Sequence, residues 1–248
     1  MSRLVVSLCF LLILPFFSHA QTSPGSLQAM RSLALSACSN LLLSFNPTQI
    51  NVDPDATDRY HRDLQKLRIM LGSADDPELK RLGETLLGKV VELENTPIED
   101  SHLRPVRINP ILEVQAALDR LIHERYSALQ YDEVVLSIDQ LSLDVQRLLL
   151  YYQIRTFGSL AVYLDDLKSG SPEKLDSRVI FGFRRIEQER PQTAGIIIKL
   201  REKYEFVRPH LIRDDSIAIP SSAAYYLGKV VGELEKLSEH EASLSHAY

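Results

Sequence analysis

Arg147 is the residue whose surroundings ask most of its chemistry. It falls in a run of Leu143, Arg147, Leu150, Ile154, Phe157, Ala161 and Leu164, spaced four and three alternately as in a buried helical seam. A guanidinium in such a seam must be paired, hydrated or able to snorkel to its edge, because an isolated buried charge is costly. Its rigid fork of donors suits a planar anion such as nitrate or a carboxylate, and it suits equally a carboxylate on a neighbouring helix. Arg155 repeats the situation one seam over. Tyr151 lies between the two on the same helix face, where it offers a hydroxyl or simply covers apolar surface.

Other chemistries find less support. The histidines form neither a His-Glu-x-x-His motif nor the two Glu-x-x-His motifs of a di-iron bundle. Asp58 with His61, and Asp119 with His123, stand one helical turn apart, a spacing more usual for surface ion pairs than for metal ligands. Cys38 sits among Leu35, Leu41 and Leu42, the setting of a buried filler rather than of a nucleophile, which needs an accessible, electropositive site. With no Gly-x-Ser-x-Gly, Walker loop or dinucleotide fingerprint, the expectation is a non-enzyme without catalytic residues, metal or cofactor.

The elements that must hold these residues are helices. Asp53-Pro54, Asp76-Pro77, Asn109-Pro110 and Ser171-Pro172 each join a capping residue to a proline, which fits the first helical turn because its missing N–H costs nothing there. Apolar residues follow at helical spacing, such as Tyr60, Leu64, Leu67 and Leu71, or Leu79, Leu82, Leu86, Val90 and Leu93. Helices are predicted over residues 27–45, 54–71, 77–94, 110–130, 132–167, 172–189, 193–214 and 220–241. The fifth is the longest. It carries a second seam from Val134 through Ile138, Leu141, Val145 and Leu148 to Tyr152, and is expected to pass Gly158 unbroken as a central mast. Strand signals are weak, so the fold class is all-α: an elongated helical bundle.

Compartment and charge narrow the functions. Arg3, an apolar run over residues 4–17 and Ser18-His19-Ala20 read as a signal peptide with cleavage after Ala20, the run being too short for a stable membrane anchor. Export to the periplasm as a soluble protein is therefore expected. Cys9 leaves with the leader, so no internal disulfide is available to Cys38. With 45% hydrophobic and 25% charged residues, a net charge of −5 and no long basic run, the chain is an ordinary globular one. It lacks the basic surface that nucleic acid or an anionic membrane requires.

The chain also looks written twice. Ser101-His102-Leu103-Arg104 with Ile108-Asn109-Pro110 is echoed by His210-Leu211-Ile212-Arg213 with Ile217-Ala218-Ile219-Pro220, and Met30-Arg31 can be laid on Gln146-Arg147. This predicts two related four-helix units, residues 21–130 and 131–241, sharing the long fifth helix and followed by a polar tail over residues 242–248. A competing register pairs Leu87-Gly88-Lys89-Val90-Val91 with Leu227-Gly228-Lys229-Val230-Val231.

The run Tyr60-His61-Arg62-Asp63-Leu64-Gln65-Lys66-Leu67-Arg68, then Asp75-Asp76-Pro77-Glu78-Leu79, resembles the second and third helices of the type IV pilus chemotaxis transducer N-terminal domain. That PilJ-type domain is related to the periplasmic part of nitrate and nitrite sensors. Gln146-Arg147-Leu148-Leu149 sits where the family has a Gln-Arg-Met-Leu box, although Leu143-Asp144-Val145 and Leu150-Tyr151-Tyr152 replace its flanks. The resemblance implies a sensor-type domain in which Arg147, and Arg31 in the weaker first copy, bind a small anion near the axis of a homodimer. It also implies a membrane-bound signalling protein as partner. The alternative is an envelope adaptor whose helix faces bind other proteins, with these arginines held in ion pairs.

Overall fold

Ser23, Asp76 and Asp132 each turn a side-chain oxygen onto the free amides at the start of a helix. Ser23 accepts from the amide of Ser26, Asp76 from those of Glu78 and Leu79, and Asp132 from those of Val134 and Val135. The structure, a computed structural model, describes residues 23–47, 53–129, 132–164, 172–213 and 217–245. These form α1 (Pro24–Phe45), α2 (Asp55–Ser73), α3 (Pro77–Glu94), α4 (Arg104–Ser127), α5 (Glu133–Phe157), α6 (Pro172–Glu189), α7 (Ala194–Ile212) and α8 (Pro220–Ser245). Short 3₁₀ turns at Ile98–Leu103 and Pro191–Thr193 precede α4 and α7. No strand occurs among the described residues, and the fold is all-α. None of the described helices is long and apolar enough to cross a membrane. The leader expected over residues 1–20 lies outside the described residues.

In the first half α1 packs on α2 and α4, α2 on α3, and α3 on α4; in the second, α5 packs on α6 and α8, α6 on α7, and α7 on α8. The halves meet where α1 lies against α5 and α8. Helices next to each other in the chain run antiparallel. Between α1 and α2 this is legible as a ladder in which Ser36 donates to Asp63 at 2.6 Å, Arg59 to Asn40 at 2.8 Å, and Ser44 shares a hydrogen bond with Thr57 at 2.7 Å. By contrast α1 and α5 run in the same direction, since Gln28 reaches the carbonyl of Asp139 and Ser32 the amide of Gln146.

Aliphatic residues dominate the core, with Leu35, Leu42, Leu67, Leu86, Leu148 and Val230 buried in it. Four tyrosines, Tyr60, Tyr126, Tyr152 and Tyr204, are buried, and each hydroxyl finds a partner, as a buried phenol must. Tyr60 donates to Glu94 at 2.9 Å, Tyr204 donates to Asp176 at 2.7 Å, and Tyr152 accepts from the amide of Ile219 at 2.7 Å. Cys38 is also buried, and burial pushes its thiol up to about 12, far from the thiolate a nucleophile needs.

Several boundaries differ from those the sequence predicts. The fifth helix does not pass Gly158: α5 ends at Phe157 with Gly158 at φ 75° and Ser159 at φ 57°. Glycine adopts that left-handed turn without a Cβ penalty, and the chain beyond is held by Asn109, which accepts from the amide of Ala161 at 2.9 Å. With 25 residues α5 is also not the longest helix; α8 has 26 and continues through Ser245 into the expected polar tail. Asn109-Pro110 is no helix start, because α4 begins at Arg104 and encloses Pro110. Pro220, its counterpart in the proposed repeat, does open α8, so the two linkers are not superposable residue by residue.

Candidate functional site

Asp119 sits on α4 beside Leu118, Leu121 and Ile122, on the face that packs into the core. A carboxylate there needs cations, and it has two. Arg31 of α1, only 2% exposed, donates from Nε to Oδ1 at 2.7 Å and from Nη2 to Oδ2 at 3.4 Å. Arg147 of α5 donates from Nη2 to Oδ2 at 2.8 Å. Burial raises the Asp119 carboxyl, but the charges of Arg147 and Arg31 and their hydrogen bonds outweigh it and bring the pKa down to about 2.

The chain of charges continues. The Nη1 of Arg147 lies 3.6 Å from Oδ1 of Asp144, one turn earlier on α5 and 3% exposed. Asp144 accepts from Gln140 at 2.8 Å and from Nε of Arg178 on α6 at 3.0 Å, with a second bond from Nη2 of Arg178. Arg31, Asp119, Arg147, Asp144 and Arg178 thus alternate in sign across four helices. Each guanidinium finds a planar partner, which suits arginine better than lysine. Next to Arg147, Gln146 turns to α1 and donates to the Ser32 hydroxyl at 2.9 Å.

This ladder forms one wall of a cavity of about 500 Å³. Arg31, Arg120, Arg147, Arg178 and Arg185 line it against only two carboxylates, Asp119 and Asp144. His123 adds an imidazole to the same wall. Leu141, Leu164 and Phe181 supply apolar wall, with Phe181 66% exposed. Gly182 lets α6 come close to α5: a Cβ there would stand 3.1 Å from Leu141 Cδ1. The segment after α5 closes one side through Tyr163 and Leu164, placed there by the turn at Gly158.

Comparison of the chain with protein-family models, curated proteins and solved structures finds no match.

Of the residues the sequence singles out, Arg31 and Arg147 meet on one carboxylate and line one cavity. Arg155 does not join them. It donates to the carbonyls of His210 at 2.8 Å and Arg213 at 3.4 Å, closing the C-terminal end of α7, and lies 5.3 Å from the Tyr152 ring centroid. Tyr151 is half-buried against the core and does not line the cavity. The paired positions considered for a metal are engaged otherwise: His61 bonds Glu94 at 2.7 Å, and Asp119 holds the two arginines. No group of three or more potential ligands is placed to hold a metal ion among the described residues. Asp144, Arg178 and Arg185 were not singled out by sequence reasoning. The one available signal was an acid, Asp144, written between Leu143 and Val145 on an otherwise apolar face.

Proposed function

We propose that this protein is an exported helical sensor-type domain, built from two related four-helix units, whose arginine-lined cavity binds a small organic anion. The observation that carries this reading is the excess of five arginines over two carboxylates around one cavity, in a chain whose net charge is −5. Such a local reversal of sign attracts an anion and orients it by paired N–H donors. A volume of about 500 Å³ exceeds what nitrate fills and falls within the ~300–1,000 Å³ of small-molecule sites, so a carboxylate with an apolar body against Leu141 and Phe181 fits better. The likeness of Gln146-Arg147 and its surroundings to the PilJ-type box points the same way. The domain would then relay occupancy to a membrane-bound partner, as a monomer or a homodimer, or serve as a binding protein.

The test is a thermal-shift and calorimetric series with nitrate, nitrite, and mono- and dicarboxylates of increasing length, on the wild type and on Arg147→Ala. Arg31 still pairs with Asp119 in that variant, and circular dichroism checks that it is folded. A melting temperature that rises with a carboxylate in the wild type and not in Arg147→Ala supports the reading. No shift with any anion, or an equal shift in both proteins, refutes it.

A second reading, an envelope adaptor, is favoured by the aromatic surface of α7 and α8. Phe206 is 62% and Tyr225 57% exposed, with Tyr226 between them at centroid distances of 4.9 and 5.4 Å. Exposed clustered aromatics are common at protein contacts. A stoichiometric partner that co-purifies with the wild type and is lost with Phe206→Ser would establish it.

A further inference from the structure

A second cavity, of about 740 Å³, shares no lining residue with the first. It lies where the two halves meet, between the first turns of α1 and α5 and the last turns of α2 and α8. Its walls are largely apolar, with Leu33, Ile69, Met70, Val135 and Ala242 among them. Its charges are of the opposite sign to those of the first cavity. Asp132, Asp139, Glu235 and Glu239 line it against a single cation, Lys66.

Two of these acids are in an unusual state. Asp139 is 7% exposed and accepts from the hydroxyls of Tyr126 at 2.8 Å and Ser238 at 2.5 Å. Half-buried Glu235 accepts from the Ser32 hydroxyl. Both are satisfied by neutral donors, and neither forms an ion pair within 4.0 Å among the described residues. Buried carboxylates are nearly always matched by a cation, because neutral hydrogen bonds recover only part of the lost hydration. Burial pushes both carboxyls above their ordinary range; the hydrogen bonds from Ser238 and Tyr126 and the charge of Arg31 offset this only in part at Asp139, and the Ser32 hydrogen bond only in part at Glu235, where Asp63, Glu239 and Asp139 add to the rise.

An independent observation comes from Gln28, 7% exposed and lining the same cavity. Its Nε2 donates to the Asp139 carbonyl at 3.3 Å, and a carbonyl can only accept, so the amide cannot be turned over. This leaves Oε1 buried without a hydrogen-bond partner. An orphaned buried acceptor is costly, and a donor entering the cavity would remove that cost.

Helix dipoles do not decide the sign. Two helix N-termini, those of α1 and α5, and two C-termini, those of α2 and α8, meet at this end of the bundle, and their partial charges oppose one another. The carboxylates set the field.

We propose that this cavity is a binding site for an organic ammonium ion with an apolar body. An –NH3+ group has three N–H donors and no acceptor. It would supply the missing counter-charge to Asp139 and Glu235 and a donor to Gln28 Oε1, while its alkyl or aryl part lies against Met70, Val135 and Leu33. The site is independent of the anion cavity, and either can exist without the other.

The probe is phenethylamine, with 2-phenylethanol and hexanoate as its uncharged and anionic comparators, titrated into protein expressed from the full chain. Calorimetry should show one site for the amine and at least tenfold weaker binding of both comparators. Glu235→Gln should weaken amine binding at least tenfold, and Gln28→Leu severalfold, with circular dichroism and melting temperature checking that each variant is folded. Amide NMR shifts need no variant: in the wild type, the amine should move Ala29, Lys66, Met70, Val135 and Ala242. Binding of the amine no tighter than of the alcohol, undiminished affinity in folded Glu235→Gln, or shifts confined to other residues would each overturn the proposal.

Discussion

Replacing Asp119 by Asn tests the electrostatic centre of the molecule most directly. The carboxyl is held at about 2 against an ordinary 3.8, and at ~1.36 kcal/mol per pKa unit its ionised form contributes about 2 kcal/mol at neutral pH. The substitution also removes the charged partner that two arginines share. Arg147 keeps Asp144 at 3.6 Å, but Arg31 is 2% exposed and donates from Nε and Nη2 to Asp119. Breaking a buried pair by removing one partner costs about 3–5 kcal/mol, and because the Asn carbonyl still accepts one bond the loss should lie near ~3 kcal/mol. In urea, with a slope near ~3 kcal/mol/M for a chain of this length, the unfolding midpoint should fall by about 1 M. Arg81→Gln, which removes an exposed contact with Glu78 at 4.0 Å, should change stability by less than ~0.5 kcal/mol. Asp119→Ala extends the test by opening a carboxylate-sized gap between two guanidiniums. Acetate should restore part of its lost stability, and sodium chloride at equal ionic strength should restore less. A midpoint for Asp119→Asn within ~0.2 M of the wild type would refute the view that this carboxylate holds α1, α4 and α5 together.

Gly158→Ala should lower stability by about 1 kcal/mol in urea unfolding, because φ is 75° there and the turn returns the chain over the first cavity. Arg155→Leu should cost about 1–2 kcal/mol by exposing the α7 carbonyls, yet leave anion affinity unchanged in calorimetry, which separates it from Arg147→Ala. The pH profile should have two arms. Burial raises Asp139, Glu235 and Asp63, so the folded chain holds their protons more tightly than the unfolded one, and stability should rise as pH falls from neutral towards the ordinary carboxylate range. Asp119 is depressed, so its contribution is present above about pH 4 and disappears as the pH falls towards 2. Melting temperatures across that range should show the rise reduced in Asp139→Asn and the acid fall reduced in Asp119→Asn.

Helix starts were legible where the physics is local. Asp76 and Asp132 cap amides two and three residues ahead, so type and spacing within one turn suffice. Apolar spacing marked the buried faces for a similar reason. The end of α5 was not legible, because the partner that holds the chain after Gly158 is Asn109, 52 positions away. Proline misled at Pro110 because it tolerates a helix interior where its neighbour's carbonyl can meet water, and Val106 there is 68% exposed.

The site was half legible for a related reason. Arg147 is conspicuous because its cost is visible in one seam, whereas its partner Asp119 lies 28 positions away and Arg31 a further 88 from that partner. Laying Met30-Arg31 on Gln146-Arg147 placed the two arginines in equivalent positions, and in the structure α1 and α5 run in the same direction with both arginines on one carboxylate. Each half alone would bury an arginine or an aspartate without its full complement. The ion ladder is therefore complete only when the halves are docked, and both cavities take walls from both halves. A ligand in either cavity touches α1 and α5 together, so its binding energy acts on the contact between the halves. Under the proposed sensor function, that contact is where occupancy would be converted into a change a partner protein can read.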